Sequence, residues 1–174
     1  MRWPLAAIVL AGCSAVWAEH LLAVASGDPA GAVEEWPLEA IEEPSGVVYH
    51  PGRKSLFVVG DEGDVAEVSL EGKVLASRVL GGDLEGVTCD PATGLVYVVR
   101  EGNETIFELD PATLKPKRRF LIDRTYEGNA NYLRRGGDGV EGLTFVPNSD
   151  DPEGGTFYAV NQYDPPVLVE LAVP

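Results

Sequence analysis

The sequence predicts an all-β fold, a partial β-propeller of about three four-stranded antiparallel blades, and three observations carry that reading. EPSGVVYHP at 43–51, DLEGVTCDP at 83–91 and GVEGLTFVP at 139–147 align without a gap on Gly46, Gly86 and Gly142. A second apolar run follows each one, SLFVVGDE from Ser55, LVYVVREG from Leu95 and TFYAVNQY from Thr156, so a two-strand unit recurs and not only a short word. The first two copies lie about 40 residues apart, the length of one propeller blade, and no convincing helical stretch follows the amino-terminal segment.

The amino terminus reads differently. Residues 1–18 have the layout of an export signal, with Arg2 ahead of an apolar run at 3–10 that falls short of the ~20 residues needed to span a bilayer. Two processing routes stay open. Leu10-Ala11-Gly12-Cys13 resembles a lipobox, which would make Cys13 the lipidated residue and anchor the chain to a membrane. Val16-Trp17-Ala18 would instead direct ordinary cleavage after Ala18. A retained, uncleaved anchor is the plainest alternative. All three place the domain outside the cytoplasm, in the periplasm or on the cell envelope. Residues 19–35, rich in Gly, Ala, Asp and Pro towards their end, read as a tether, and 36–174 as the propeller.

Within 36–174 the elements follow in order. EWPLEA alternates Trp36, Leu38 and Ala40 with polar residues and predicts a half-buried strand leading into the first copy. Val47 to Tyr49 and Ser55 to Val59 are β-branched and aromatic runs separated by the turn His50-Pro51-Gly52-Arg53. Val65 to Leu70 and Val74 to Leu80 complete the blade around Glu71-Gly72. The second copy repeats this plan with turns at Asp90-Pro91-Ala92-Thr93-Gly94 and Asp110-Pro111-Ala112-Thr113, and a fourth strand at 117–122. Residues 123–138 form an insertion long enough for a functional loop, although a plain surface loop is the simpler account. The third copy supplies strands at 143–146, 156–160 and 167–172, and Pro174 arrives where a fourth is due.

Three blades leave two apolar faces open, because a propeller closes with four to eight. The expectation is a fragment of a longer ring. A homodimer completing a six-bladed ring and an open arc are the other two solutions.

Composition narrows the partners. Twenty-eight acidic against thirteen basic residues give a net charge of -15, which repels a phosphate backbone and argues against nucleic acid. Two cysteines allow no disulfide framework once Cys13 is processed, and Cys89, inside an apolar run, is expected to be a buried, inert thiol.

EPSGVVYHPGRKSLFVVGDEGDVAEVSLEGKVL, DLEGVTCDPATGLVYVVRE and DGVEGLTF resemble blades of the SdiA-regulated, YjiK-like six-bladed propellers, over 36–171. The resemblance implies an exported or membrane-associated protein, with calcium linked to some relatives, at about half the expected length.

The residue before each aligned glycine is Ser45, Glu85 and Glu141, on strands that would line a propeller's central channel. Glu85 and Glu141, with Glu43 compensating for Ser45, are the candidate oxygen ligands for Ca²⁺, a hard cation that takes six to eight oxygens. The competing account is that they cap strand ends. A second aligned column, Asp61, Glu101 and Gln162, with Glu62 and Asn161 beside it, is explained by turn chemistry. His20 and His50 have no nucleophile-elbow serine to serve, Gly136-Gly137 lacks a phosphate-loop lysine, and Arg134 and Arg135 read as solvated charge. The expectation is a non-enzymatic module that binds calcium and a protein or envelope ligand. The alternative is a calcium-dependent hydrolase of the lactonase or phytase-like propeller class.

Overall fold

A computed structural model describes residues 34–133, 136–137 and 139–172. The chain divides after Glu35, and the fold is that of the unit Trp36–Pro174. The export signal, Cys13, His20 and nearly all of the tether lie outside the described residues, as do Arg134, Arg135 and Asp138.

Among the described residues there are eleven strands and no helix. Blade 1 is an antiparallel sheet of β1 (Pro44–His50), β2 (Ser55–Gly60), β3 (Asp64–Ser69) and β4 (Val74–Val79), hydrogen-bonded in that order. Blade 2 repeats it with β5 (Leu84–Cys89), β6 (Val96–Arg100), β7 (Thr105–Leu109) and β8 (Pro116–Leu121). Blade 3 has three strands, β9 (Val140–Pro147), β10 (Gly155–Asn161) and β11 (Val167–Leu171), with β10 in the middle. The predicted partial propeller is the observed fold.

The turns explain why the strands stop where they do. Asp90 accepts from the Ala92 and Thr93 amides, and Asp110 does the same for Ala112 and Thr113, so each Asp-Pro-Ala-Thr closes through its own aspartate. One expected strand is absent: 36–38 is irregular and 39–40 a turn. Pro37 has no amide to give a ladder. The segment lies instead against the sheet, with Leu38, Ala40 and Ile41 packed on Val58, Ala66 and Val68.

Burial follows from each blade's neighbours. β7 is buried at every position, because blade 2 is covered on both faces, whereas β10 and β11 alternate. Phe57, Val59 and Val65 of blade 1 pack with Leu84, Val96, Val98 and Leu109 of blade 2, all fully buried. Tyr97, Val99 and Ile106 of blade 2 pack with Val140, Phe145 and Phe157 of blade 3. The aligned glycines permit this approach. A Cβ on Gly46 would overlap the Glu85 carbonyl oxygen, and one on Gly86 the Leu143 amide.

Thr88 joins the second seam by accepting the Phe145 N–H at 3.2 Å in a buried position. Thr88→Val keeps the shape but leaves that amide unsatisfied, and is expected to cost about 1–2 kcal/mol in chemical denaturation. Unchanged stability would mean that the bond adds nothing.

Buried carboxylates follow the repeat as well. Glu67 and Glu108 stand opposite Phe57 and Tyr97 and are each 2% exposed. Arg53 holds Glu67 at 2.7 Å, and Arg118 holds Glu108 at 2.7 Å. Burial pushes the Glu67 carboxyl up, but bonds from Arg53 and Ser55 outweigh it and leave the group below the usual carboxylate range. The insertion closes on itself, with Arg124 donating to the Leu133 carbonyl at 3.0 Å and Tyr126 packed on Tyr132.

Candidate acidic site at the strand ends

Each inner strand begins beside the end of the next strand, because the two are antiparallel: Pro44 pairs with Gly60, and Leu84 with Arg100. The residue after the second strand therefore folds back over the start of the first. Asp61 N–H donates to the Glu43 carbonyl, Glu101 N–H to that of Asp83 and Gln162 N–H to that of Gly139. The two aligned columns thus meet at one end of each blade.

Where blades adjoin, the ends meet each other. Asp61, Asp83 and Glu85 form one group, and Glu85, Glu101 and Glu141 a second, each offering ligand oxygens within 4.8 Å of one another. Glu85 belongs to both groups, so five carboxylates from three blades converge. The sequence pairing of Glu85 with Glu141 is what the fold brings together. Glu43 is exposed, at φ 46, and outside both groups; its counterpart Asp83 enters one of them. Asp61 and Glu101, explained from sequence as turn residues, are members, while Gln162 is exposed. Ser45 reaches the site through its hydroxyl, which donates to Asp61 Oδ1.

Packing these acids together has an electrostatic cost. Burial and the Glu141 charge push Glu85 up to about 8, with a hydrogen bond to Asp83 adding to the rise. Burial and a hydrogen bond to Glu101 push Glu141 up to about 7. Only some positions are compensated by the fold, as where Glu101 Oε1 accepts the Gly139 N–H at 2.5 Å. Asp83 Oδ1 is buried with no hydrogen-bond partner. Such a set can share protons or bind a hard cation, since it offers only oxygen donors.

The remaining expectations are placed as follows. His50 is 3% exposed, with Nδ1 accepting the Arg53 N–H and Nε2 bonded to the Gly94 carbonyl at 2.8 Å, a structural role. Cys89 is half-buried rather than fully buried, because it sits at the rim of the first seam, where its thiol donates to the Tyr49 carbonyl. Burial and the neighbouring Asp90 raise its pKa, which keeps it protonated and unreactive.

The SdiA-regulated family model matches residues 28–173. The chain belongs to the SdiA-regulated family. No curated protein matches it. Among solved structures, Myxococcus xanthus glutaminyl cyclase is similar at a TM-score of 0.55 and 16% identity, covering 75% of this chain and 55% of that one. The β-propeller domain of Myceliophteria thermophila Cps50 (Swd1) gives 0.50 at 16% identity, with 83% and 37% covered. Kuenenia stuttgartiensis hydrazine synthase gives 0.49 at 17% identity, with 77% and 32% covered. The likeness to the first two is one of fold. The chain spans between about a third and just over half of the structures it matches.

Proposed function

We propose that this SdiA-regulated propeller is an exported, non-enzymatic binding module that holds Ca²⁺ at its acidic strand ends and presents that end to a protein or envelope ligand. The convergence of Asp61, Asp83, Glu85, Glu101 and Glu141 carries the reading. The donor set suits the ion. Five carboxylates, each able to bind through one or two oxygens, match the six to eight oxygens of Ca²⁺, and the unpartnered Asp83 Oδ1 is the kind of acceptor a cation satisfies. Bound there, calcium would neutralise the repulsion that raises Glu85 and Glu141. Export, and the choice between lipid attachment at Cys13 and cleavage after Ala18, belong to this proposal.

Calorimetric titration of the metal-stripped chain with CaCl₂ tests it. The wild type should give saturable heat, and Glu85→Gln with Glu141→Gln should weaken binding at least about 10-fold, as expected when two charged ligands are lost. A wild type without heat overturns the calcium assignment.

A second reading rests on the raised pKa values. A carboxyl group raised to about 8 suits acid catalysis, as a calcium-dependent hydrolase of the lactonase or phytase-like class would use it. A panel of lactone, ester and phosphate substrates separates the two, and turnover lost with Glu85 would favour the enzyme.

A further inference from the structure

Blade 3 has the surface of a blade with a neighbour. The strand registers align four columns: Val48, Thr88 and Thr144 pair with Phe57, Tyr97 and Tyr158, and Gly46 and Gly142 pair with Val59 and Val160. Phe57 and Val59 are fully buried against blade 2, and Tyr97 and Val99 lie buried against blade 3. In blade 3 the equivalent Val160 is 45% exposed, and Leu168 on the adjoining strand is 68% exposed. Gly142 repeats the close-approach glycine with no backbone opposite, since a Cβ there would meet only Val160 Cγ2 at 2.6 Å.

Blade 1 carries the complementary surface on its far side. Val47, Val87 and Leu143 occupy one column, and Tyr49, Cys89 and Phe145 the next. Val87 and Phe145 are buried at 7% and 6% exposure, whereas Val47 and Tyr49 are 63% and 48% exposed. Residues 36–41 cover the outer part of this face, over Val58, Ala66 and Val68, and leave the inner part open. Between the two runs a groove of about 320 Å³, with Trp36 and Leu38 on one side and Val47 and Leu56 on the other.

We infer that the free face of blade 3 docks on the free inner face of blade 1 in a second copy of this chain, and that two copies close one six-bladed ring. The seams already present set the pattern of contact. Tyr97 of blade 2 packs against Phe145 and Phe157 of blade 3, with ring centroids at 5.4 and 4.8 Å. The same step places Tyr158 between Tyr49 and Leu56 of the second copy, beside that groove. The contact is head-to-tail, so it must close or grow without limit. Rings hold four to eight blades, and of the multiples of three only six falls in that range.

The full chain is examined by sedimentation equilibrium, with circular dichroism melts as the check on folding. Wild type should have a mass of twice 18.6 kDa. Val47→Asp and Val160→Asp, each at an exposed site, should keep a cooperative melt and the wild-type β-sheet spectrum yet sediment at 18.6 kDa. Their equimolar mixture should regain a two-copy species, because each variant keeps the face that the other has lost. Gly142→Leu, which fills the bare column without touching the internal seams, should also be monomeric. A monomeric wild type, a ladder of larger masses, or a dimer that survives both Asp variants overturns the ring.

Discussion

Gly86→Ala should part the second and third blades. The added Cβ would overlap the Leu143 amide and lie 2.9 Å from the Gly142 carbonyl carbon, and backbone atoms fixed in a sheet have no rotamer with which to yield. The blades must separate or the strand must bulge. Either response disturbs the buried set around Tyr97, Phe145 and Phe157. A cost on the order of 3 kcal/mol, the upper part of the overpacking range, corresponds to a fall in Tm of roughly 6–12 °C. With both substitutions made in the monomeric Val47→Asp background, Gly142→Ala is the matched control, since within one chain its new Cβ meets only Val160 Cγ2 at the exposed face of blade 3, and it should cost under about 1 kcal/mol. If differential scanning calorimetry finds the two variants alike, the seam does not depend on that approach.

The acidic site should give stability an unusual pH dependence. Folding raises Glu85 to about 8 and Glu141 to about 7, so between the ordinary carboxylate range and these values the folded state binds more protons than the unfolded chain. Stability then falls as pH rises through that window. Glu67 acts with the opposite sign. Held below its ordinary range, it contributes fully above about 4.5, and that contribution is lost as pH falls through its folded value. In chelator, stability should therefore peak on the mildly acidic side of neutrality.

Glu85→Gln with Glu141→Gln removes the alkaline decline. The double variant should match wild type near the acidic end of the window and melt on the order of 3–6 °C higher at its alkaline end, with solvent screening of the partly exposed carboxyls holding the gain well below the full linkage value. Calcium should reverse the ranking by stabilising wild type alone. Parallel pH profiles for the two proteins would contradict the raised pKa values.

The strands were legible because their signals are local. β-branched runs between Asp-Pro-Ala-Thr turns leave little choice of structure, and Gly46, Gly86 and Gly142 fix the register by themselves. The stretch from Trp36 misled for a related reason. Alternation reports that one side is covered, not whether the cover is a ladder partner or a sheet face beneath, and Pro37 was the available hint. The site was half legible. Equivalent positions before the glycines join Glu85 to Glu141, which the fold brings together, but Asp61 and Glu101 fall in a separate column along the chain. Folding each strand pair back on itself superimposes them, and that step needs only the antiparallel hairpin. Asp83 gives no such signal, because its counterpart Glu43 stands in the sequence only as a substitute for Ser45.

The hydrogen bonding of His50 carries one more implication. With Nδ1 occupied as an acceptor from Arg53, the ring proton must reside on Nε2, where it is given to the Gly94 carbonyl across the first seam. His50 is only 3% exposed, so that proton is shielded from water while blades 1 and 2 stay together. Its exchange with solvent deuterium times the parting of those two blades, so one imidazole resonance serves as a clock for the opening of the arc.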